Sequence, residues 1–264
     1  MSMSVSYNDR PVSLSRHSHM YYELLYIVKG LADLSINNNR YRISPGNIIF
    51  LNQFEEHEIT VLSGEYERYF VLIPPDEIKM FKNNSLLLSA FRLRGGQSDI
   101  ILQTGEYNSR FLSYFSLLHE TSKSQGKYTD DRLEAIMMLI LTEAYAICPE
   151  RFTGTDYSSS LPIQEILNYL DEHFTESFSL ERIAEQYYVT PGCLSSNFRE
   201  LVGVSPMQYI TGSRLAYART LLQGTKMKVQ DIANQCGYND VSAFIDLFRK
   251  HFGCTPSQYR RQTI

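Results

Sequence analysis

The stretch HSHMYYELLYIVKG, starting at His17, spaces its polar groups as H-x-H-x(3)-E-x(6)-G. His17, His19, Tyr21 and Glu23 share odd parity, so on one extended strand all four would project from the same face. His57, beyond the Pro45-Gly46 turn and the apolar run NIIFL, is the candidate fourth ligand beside His17, His19 and Glu23. Imidazoles and a carboxylate suit a divalent ion such as zinc, iron or nickel. The same groups suit a polar organic ligand, against which Tyr21 would stack if it were a sugar. Purely structural histidines are the third reading. No second cluster of acids or nucleophiles accompanies the set.

A second group of residues points to a polyanion. Residues 178–264 hold ten Lys/Arg against six Asp/Glu, whereas residues 1–177 hold fifteen against twenty-three. A basic C-terminal third on a chain of net charge −4 is compatible with an anionic partner. The same third repeats itself. FRELVGVSPMQY begins at Phe198 and FRKHFGCTPSQY at Phe248, and both read F-R-x-x-x-G-x-[S/T]-P-x-Q-Y. An internal repeat in so short a span is one supersecondary unit used twice.

Extending each copy backwards identifies the unit. Ile183-Ala184 and Ile232-Ala233 each precede a short break and then a helix ending in Phe-Arg. The Ile-to-Phe separation is 15 residues in the first copy and 16 in the second, so one residue is gained in the turn. Thr190-Pro191 supplies an N-cap oxygen and an N1 proline. Asp240 can cap the matching helix, with Gly237 available for a positive φ. Ser205–Gln208 and Thr255–Gln258 read as capping boxes. Helix, tight turn, helix, twice over, is helix-turn-helix architecture. Between the units, Pro206 to Gln223 predicts an 18-residue helix stopped by Gly224. At ~27 Å it would hold two reading helices about one DNA turn, ~34 Å, apart.

Helical periodicity separates core from groove at about 100° per residue. Leu194, Phe198 and Leu201 form the core stripe of the first reading helix; Gly192, Ser195, Ser196 and Arg199 face the other way. In the second, Phe244 and Phe248 are core, Ser242, Asp246 and Arg249 point outward, and Ala243 and Ile245 flank them. Arg199, Arg249 and Lys250 are the expected phosphate contacts. Asp246 can only accept a hydrogen bond, for instance from cytosine N4. With Thr190 at the cap, these make up the candidate DNA-binding set.

The last 100 or so residues resemble the DNA-binding domain of the AraC/XylS family of bacterial transcription regulators. Gly253, Thr255, Pro256, Tyr259 and Arg260 match the family's terminal G-x-[S/T]-P-x-x-[Y/F]-R phrase. One departure is that the family often carries an arginine two positions before each recognition-helix phenylalanine, where this chain has Ser196 and Asp246. The His/Glu pattern resembles that of cupins, β-barrels whose metal-binding members use three His and one Glu; Asn52 stands where they often have proline. The resemblance implies a ligand-responsive, dimeric regulator of double-stranded DNA with a small-molecule effector, a sugar being one fit. It implies no required cofactor, and a divalent metal at His17, His19, Glu23 and His57 is the candidate one. The rival class is a metal-dependent cupin enzyme fused to a DNA-binding domain.

The elements that would position these groups fall into an α+β order. Residues 16–103 alternate Tyr/Ile/Val/Leu runs with turn signals at 8–12-residue spacing, which predicts a β-barrel or sandwich. Phe111, Phe115 and Leu118, then Leu133, Met137 and Ile140, predict two amphipathic helices at 107–122 and 130–148; by resemblance these include the dimer surface. TGTDYSSS reads as a linker. The expected domains are therefore a cupin-like sensory and dimerisation domain at 1–152, a linker at 153–161 and an all-α DNA-binding domain at 162–264. The longest apolar run, AIMMLIL, is seven residues, against the ~20 that a membrane span needs. MSMSVSYNDR lacks an apolar h-region, so no secretory signal is expected. Four cysteines without a C-x-x-C pair are expected to be reduced, mostly buried thiols of a cytoplasmic protein.

Overall fold

β-Branched and aromatic runs form strands because they pack a pleated, half-buried surface. The computed structural model describes residues 3–19, 21–36, 39–53, 55–74, 77, 85–93, 100–153 and 162–263. Its strands are β1 (Ser4–Asn8), β2 (Leu14–His17), β3 (Tyr22–Lys29), β4 (Ala32–Ile36), β5 (Asn39–Ile43), β6 (Asn47–Leu51), β7 (His57–Val61), β8 (Glu67–Ile73) and β9 (Ile101–Gln103). They build two antiparallel sheets, β1-β8-β3-β6-β9 and β2-β7-β4-β5. Alternation along β3 then assigns each side chain to a core. Leu25 and Ile27 pack with Leu34, Ile36, Ile49 and Ile59, drawn from both sheets. Tyr22, Leu24 and Tyr26 pack instead with helical residues, including Phe111, Phe115 and Leu118.

Those helices are α1 (Ser85–Arg92), α2 (Asn108–Lys123), α3 (Thr129–Ile147) and α4 (Glu150–Thr153). All six residues of the two predicted apolar stripes on α2 and α3 are buried. Tyr26 stacks on Phe115 at 4.7 Å between centroids and donates its hydroxyl to Asn108, fixing α2 against β3. α1 corrects the reading of 16–103 as strands throughout: SLLLSAFR is a helix packed on α3, α4 and β6.

The chain divides into two compact units, one drawn from 2–160 and one from 161–199 with 204–264. Of the expected linker, all but Thr153 lies outside the described residues. The second unit is α5 (Ile163–His173), α6 (Leu180–Gln186), α7 (Pro191–Val202), α8 (Pro206–Gly224), α9 (Val229–Gln235), α10 (Val241–Phe252) and α11 (Pro256–Thr263). α8 is its centre and packs against α5, α9 and α11. Tyr209, Ile210, Leu215, Ala216, Ala218 and Leu222 are all buried along it. α8 runs 19 residues, through Gly224, and ends on extended Thr225, whose N–H bonds Leu221 O. Gly224 is thus the last helical residue and not the left-handed stop expected of it. No helix among the described residues is long and apolar enough to cross a membrane. The cysteines are free, but only Cys236 is buried, and Cys193 is exposed on α7, against the expectation of mostly buried thiols.

Candidate functional site

β2 ends at His17 and β3 begins at Tyr22, in different sheets, so His17, His19, Tyr21 and Glu23 do not share one strand as parity implied. They gather by another route. Glu23 shares the inter-sheet face of β3 with Leu25 and Ile27, and His57 shares that of β7 with Ile59. The β2–β7 ladder sets His57 opposite His17. Ring centroids are 4.3 Å apart for His17–His57, 5.2 Å for His19–His57 and 5.8 Å for His17–His19. Glu23 Oε2 lies 2.8 Å from His19 Nε2 and 3.5 Å from His57 Nε2. One potential ligand nitrogen from each of the three imidazoles lies within 4.8 Å of the others, a grouping able to hold a metal ion. Tyr21 meets His19 edge-on at 5.9 Å.

His57 and Glu23 are buried, while His17, His19 and Tyr21 are half-buried. Burial by itself would raise the Glu23 carboxyl, but the hydrogen bonds and charge of His19 and His57 outweigh it and pull the group down to about 2. Burial pushes the His57 imidazole down, and its contact with Glu23 more than reverses this, leaving it raised.

Two further residues of this interior escaped the sequence reading. Tyr66 belongs to the inter-sheet core, and Arg68 lies under it, its guanidinium 4.9 Å from the ring centroid. Arg68 is paired with Ile27 in register and is only 2% exposed. The Tyr66 hydroxyl and Arg68 Nη1 are buried without hydrogen-bond partners. The signal was present: in ERYFVLI the arginine shares parity with Phe70, so it points into the core and not to solvent.

In the second unit the repeated phrase resolves into scaffold. Phe198 meets Tyr209 edge-on at 5.9 Å, and Phe248 meets Tyr259 at 5.7 Å. Gly203 and Gly253 both take positive φ, 87° and 74°. Gln208 and Gln258 each accept at Oε1 from the N–H of Ser205 and Thr255, and each donates its own N–H to that residue's hydroxyl. Arg260, in the terminal motif, donates to Leu222 O and Met227 O, tying α11 to the end of α8. Thr190 Oγ1 accepts from Cys193 N, and Asp240 Oδ1 from Ser242 N and Ala243 N.

The supporting helices repeat at an offset of 49: Tyr188 N bonds Glu185 O and Val189 N bonds Ala184 O, just as Gly237 N bonds Asn234 O and Tyr238 N bonds Ala233 O. The recognition helices α7 and α10 repeat at 50, which locates the extra residue of the second turn at Asn239. Tyr188, φ 56°, therefore occupies the left-handed position that Gly237, φ 80°, fills in the second copy.

Residues 191–200 and 241–250 have the same burial sequence, position for position. Leu194, Phe198 and Val202 are buried on α7, so Val202 replaces the expected Leu201, which is half-buried. Thr190, Gly192, Ser196, Arg199, Ser242, Ala243, Asp246, Arg249 and Lys250 are exposed, and Ser195 half-exposed. Asp246 Oδ1 binds Arg249 Nη2 at 3.0 Å, an ion pair the sequence reading did not foresee.

A β-rich unit with polar groups converging in its interior, and a helical unit presenting one helix-turn-helix twice, define a ligand-responsive DNA-binding transcription regulator. The sequence model described as AraC-like ligand binding domain matches residues 6–141, and that of a helix-turn-helix domain matches 183–262. The HTH-type transcriptional activator RhaR of Mannheimia succiniciproducens is 25% identical over 252 residues, covering 94% of this chain and 87% of that protein. The activator RhaS of Klebsiella pneumoniae is 24% identical over 258 residues, covering 93% and 87%. Unsaturated fatty acid bound ToxT from Vibrio cholerae shares the fold, with TM-score 0.55 and 18% identity over 98% of this chain and 95% of that one. The chain belongs to the AraC family of transcription regulators. Its relatives are named as activators of transcription, which groups it with regulators and not with enzymes.

Proposed function

We propose that this chain, acting as a cytoplasmic homodimer, switches genes for a carbohydrate or other small polar metabolite when that effector enters the sensory unit. The observation that carries the DNA-reading half is the pair of recognition helices with matching burial on either side of one buried rod, α8. At 19 residues the rod is ~28 Å long, which suits two successive major grooves. Thr190, Gly192, Ser195, Ser196, Arg199, Ser242, Ala243, Asp246, Arg249 and Lys250 are the proposed contacts. For the effector, His17, His19, Tyr21, Glu23 and His57 form the polar rim, and Tyr66 and Arg68 offer unpartnered groups to a hydroxyl-rich or acidic ligand. A thermal-shift screen of sugars and related metabolites tests this, because a ligand of the native state raises stability by mass action. Retained sensitivity of Arg68→Met to every hit would remove the inner groups from the site.

Because Asp246 both neutralises Arg249 and repels phosphate, Asp246→Asn is expected to tighten binding to all duplexes several-fold and to steepen the log–log salt slope by about 1. Fluorescence anisotropy across a salt series reads both. Loss of preference at a single base pair would instead make Asp246 a base reader.

Dimerisation is proposed through α2 and α3, where Leu112, Leu117 and Leu139 stand 38%, 43% and 40% exposed. Sedimentation of Leu117→Glu is expected to show at least a tenfold weaker dimer. An unchanged dimer places the interface elsewhere.

A further inference from the structure

Nothing in the fold accounts for Tyr188. Its backbone sits at φ 56°, in the left-handed region that disfavours residues carrying a Cβ. The second copy makes the same turn with Gly237. Backbone strain of this kind persists where the side chain gains something by standing there. Tyr188 gains nothing within the chain. It is 96% exposed, more than any other large apolar or aromatic side chain among the described residues. Its ring and hydroxyl make no hydrogen bond or ring contact with any of them. The other turn shows the contrast: a Cβ added at Gly237 would lie 2.3 Å from Thr175 O, so that turn is covered by the loop after α5. The corresponding surface of the first turn is open, and Tyr188 stands on it.

The place of the turn names the partner. In a helix-turn-helix the supporting helix crosses the duplex backbone, and the start of the recognition helix enters the major groove. The turn that joins them therefore passes over the phosphates bordering that groove. Tyr188 lies two residues before Thr190, the exposed cap of α7, which begins at Pro191. A tyrosine hydroxyl is a neutral donor, and phosphate oxygens accept from tyrosine as well as from arginine and lysine. A ring with two rotatable bonds also loses little side-chain freedom when it docks. We propose that Tyr188 is a phosphate contact of the first head, its hydroxyl donating to the duplex backbone beside the groove that α7 enters. The left-handed backbone holds the ring off the domain surface for that contact. Gly237 has no side chain to match it, so the two heads grip the backbone unequally. The contact rests on the DNA-reading assignment of α7 and adds to it a residue outside the recognition helices.

The test measures anisotropy of the full chain on a duplex that the wild type selects from a random pool, and on an unrelated duplex of equal length. Tyr188→Phe, which deletes only the hydroxyl, is expected to weaken both about tenfold, the order of one hydrogen bond to a charged group. The log–log salt slope is expected to stay that of the wild type, because a neutral hydroxyl displaces no counterion. Tyr188→Gly is expected to lose at least as much affinity while its Tm equals or exceeds the wild-type value, which separates a lost contact from lost folding. Single methylphosphonates stepped along the selected duplex are expected to find one phosphate where the wild type weakens and Tyr188→Phe does not weaken further. Tyr188→Phe binding within about twofold of the wild type on both duplexes would overturn the proposal. If Tyr188→Gly alone then weakened binding, the ring and not the hydroxyl would be the contact. A loss confined to one base pair would make Tyr188 a base reader, and unchanged DNA binding with reduced transcription in vitro would give it a protein partner; either result overturns the phosphate contact. A wild type that binds no duplex would remove the proposal together with the assignment of α7, before any variant is compared.

Discussion

Gly237→Ala is expected to destabilise the C-terminal unit by about 3 kcal/mol, combining left-handed strain with overpacking. At φ +80°, an added Cβ would lie 2.3 Å from Thr175 O and 2.9 Å from its carbonyl carbon. Those are backbone atoms and cannot rotate aside. Nor is their loop free to retreat: Arg214, on α8, donates from Nε to Phe174 O and from Nη2 to Glu176 O, both at 2.6 Å, bracketing Thr175. For a unit of this size the melting temperature should fall by roughly 15 °C, read by circular dichroism, and DNA binding should vanish with it. A fall under about 3 °C would show that the loop yields and that the contact is soft. The first copy supplies the opposite case. Tyr188 holds the equivalent left-handed position with its side chain 96% exposed, so Tyr188→Gly relieves strain without losing packing and should be neutral or stabilising by up to about 1 kcal/mol.

Phe248→Ala is expected to cost 3 to 5 kcal/mol, roughly the range for emptying a buried phenylalanine site. Phe248 is fully buried at the join of α10 and α11, with Phe244, Phe252 and Tyr259 at centroid distances of 5.8, 4.3 and 5.7 Å. Removing the ring leaves three aromatic neighbours facing a void, and the terminal helix loses its main purchase. Because Arg260 anchors the α8 terminus from that same helix, the damage should spread to the α8–α9 connection. Thermal unfolding and anisotropy with a selected duplex should show both losses together. Normal DNA affinity at low temperature combined with a melting temperature unchanged within about 3 °C would refute the account. Phe248→Leu, which keeps much of the volume, should recover about half the loss.

The helical unit was legible because caps, breaks and helical stripes are local events, and the local chemistry was written twice. Its errors were local too: Gly224 looked like a stop, but the chain caps itself with extended Thr225. The β unit was less transparent. Edge strands such as SVSYN and LSRH carry too few apolar residues to announce themselves, because one flank of an edge meets solvent. SLLLSAFR has a run of leucines that alternation cannot distinguish from a strand, and only packing on its neighbours makes it helical. The His/Glu side chains do meet, but not on the one strand that parity implies, since convergence across two sheets is a long-range fact that parity on one strand cannot express. A lone arginine such as Arg68 reads as surface; its parity with Phe70 is a faint counter-signal that becomes firm only with its register partner, Ile27, in the core.

Of the letters the two copies share, phenylalanine, glycine, the capping pair and tyrosine all hold the chain in shape, and of the side chains in that shared phrase arginine alone reaches outward from a recognition helix. The outward letters otherwise differ: Gly192, Ser195 and Ser196 on one head, Ser242, Ile245 and Asp246 on the other. Mutation can therefore rewrite either head's vocabulary without loosening a single joint of the frame. A stretch of genome recognised by this chain should accordingly be spelled as two dissimilar words, a fixed stride apart, and a search for mirrored or duplicated syllables within one protomer's footprint would miss it.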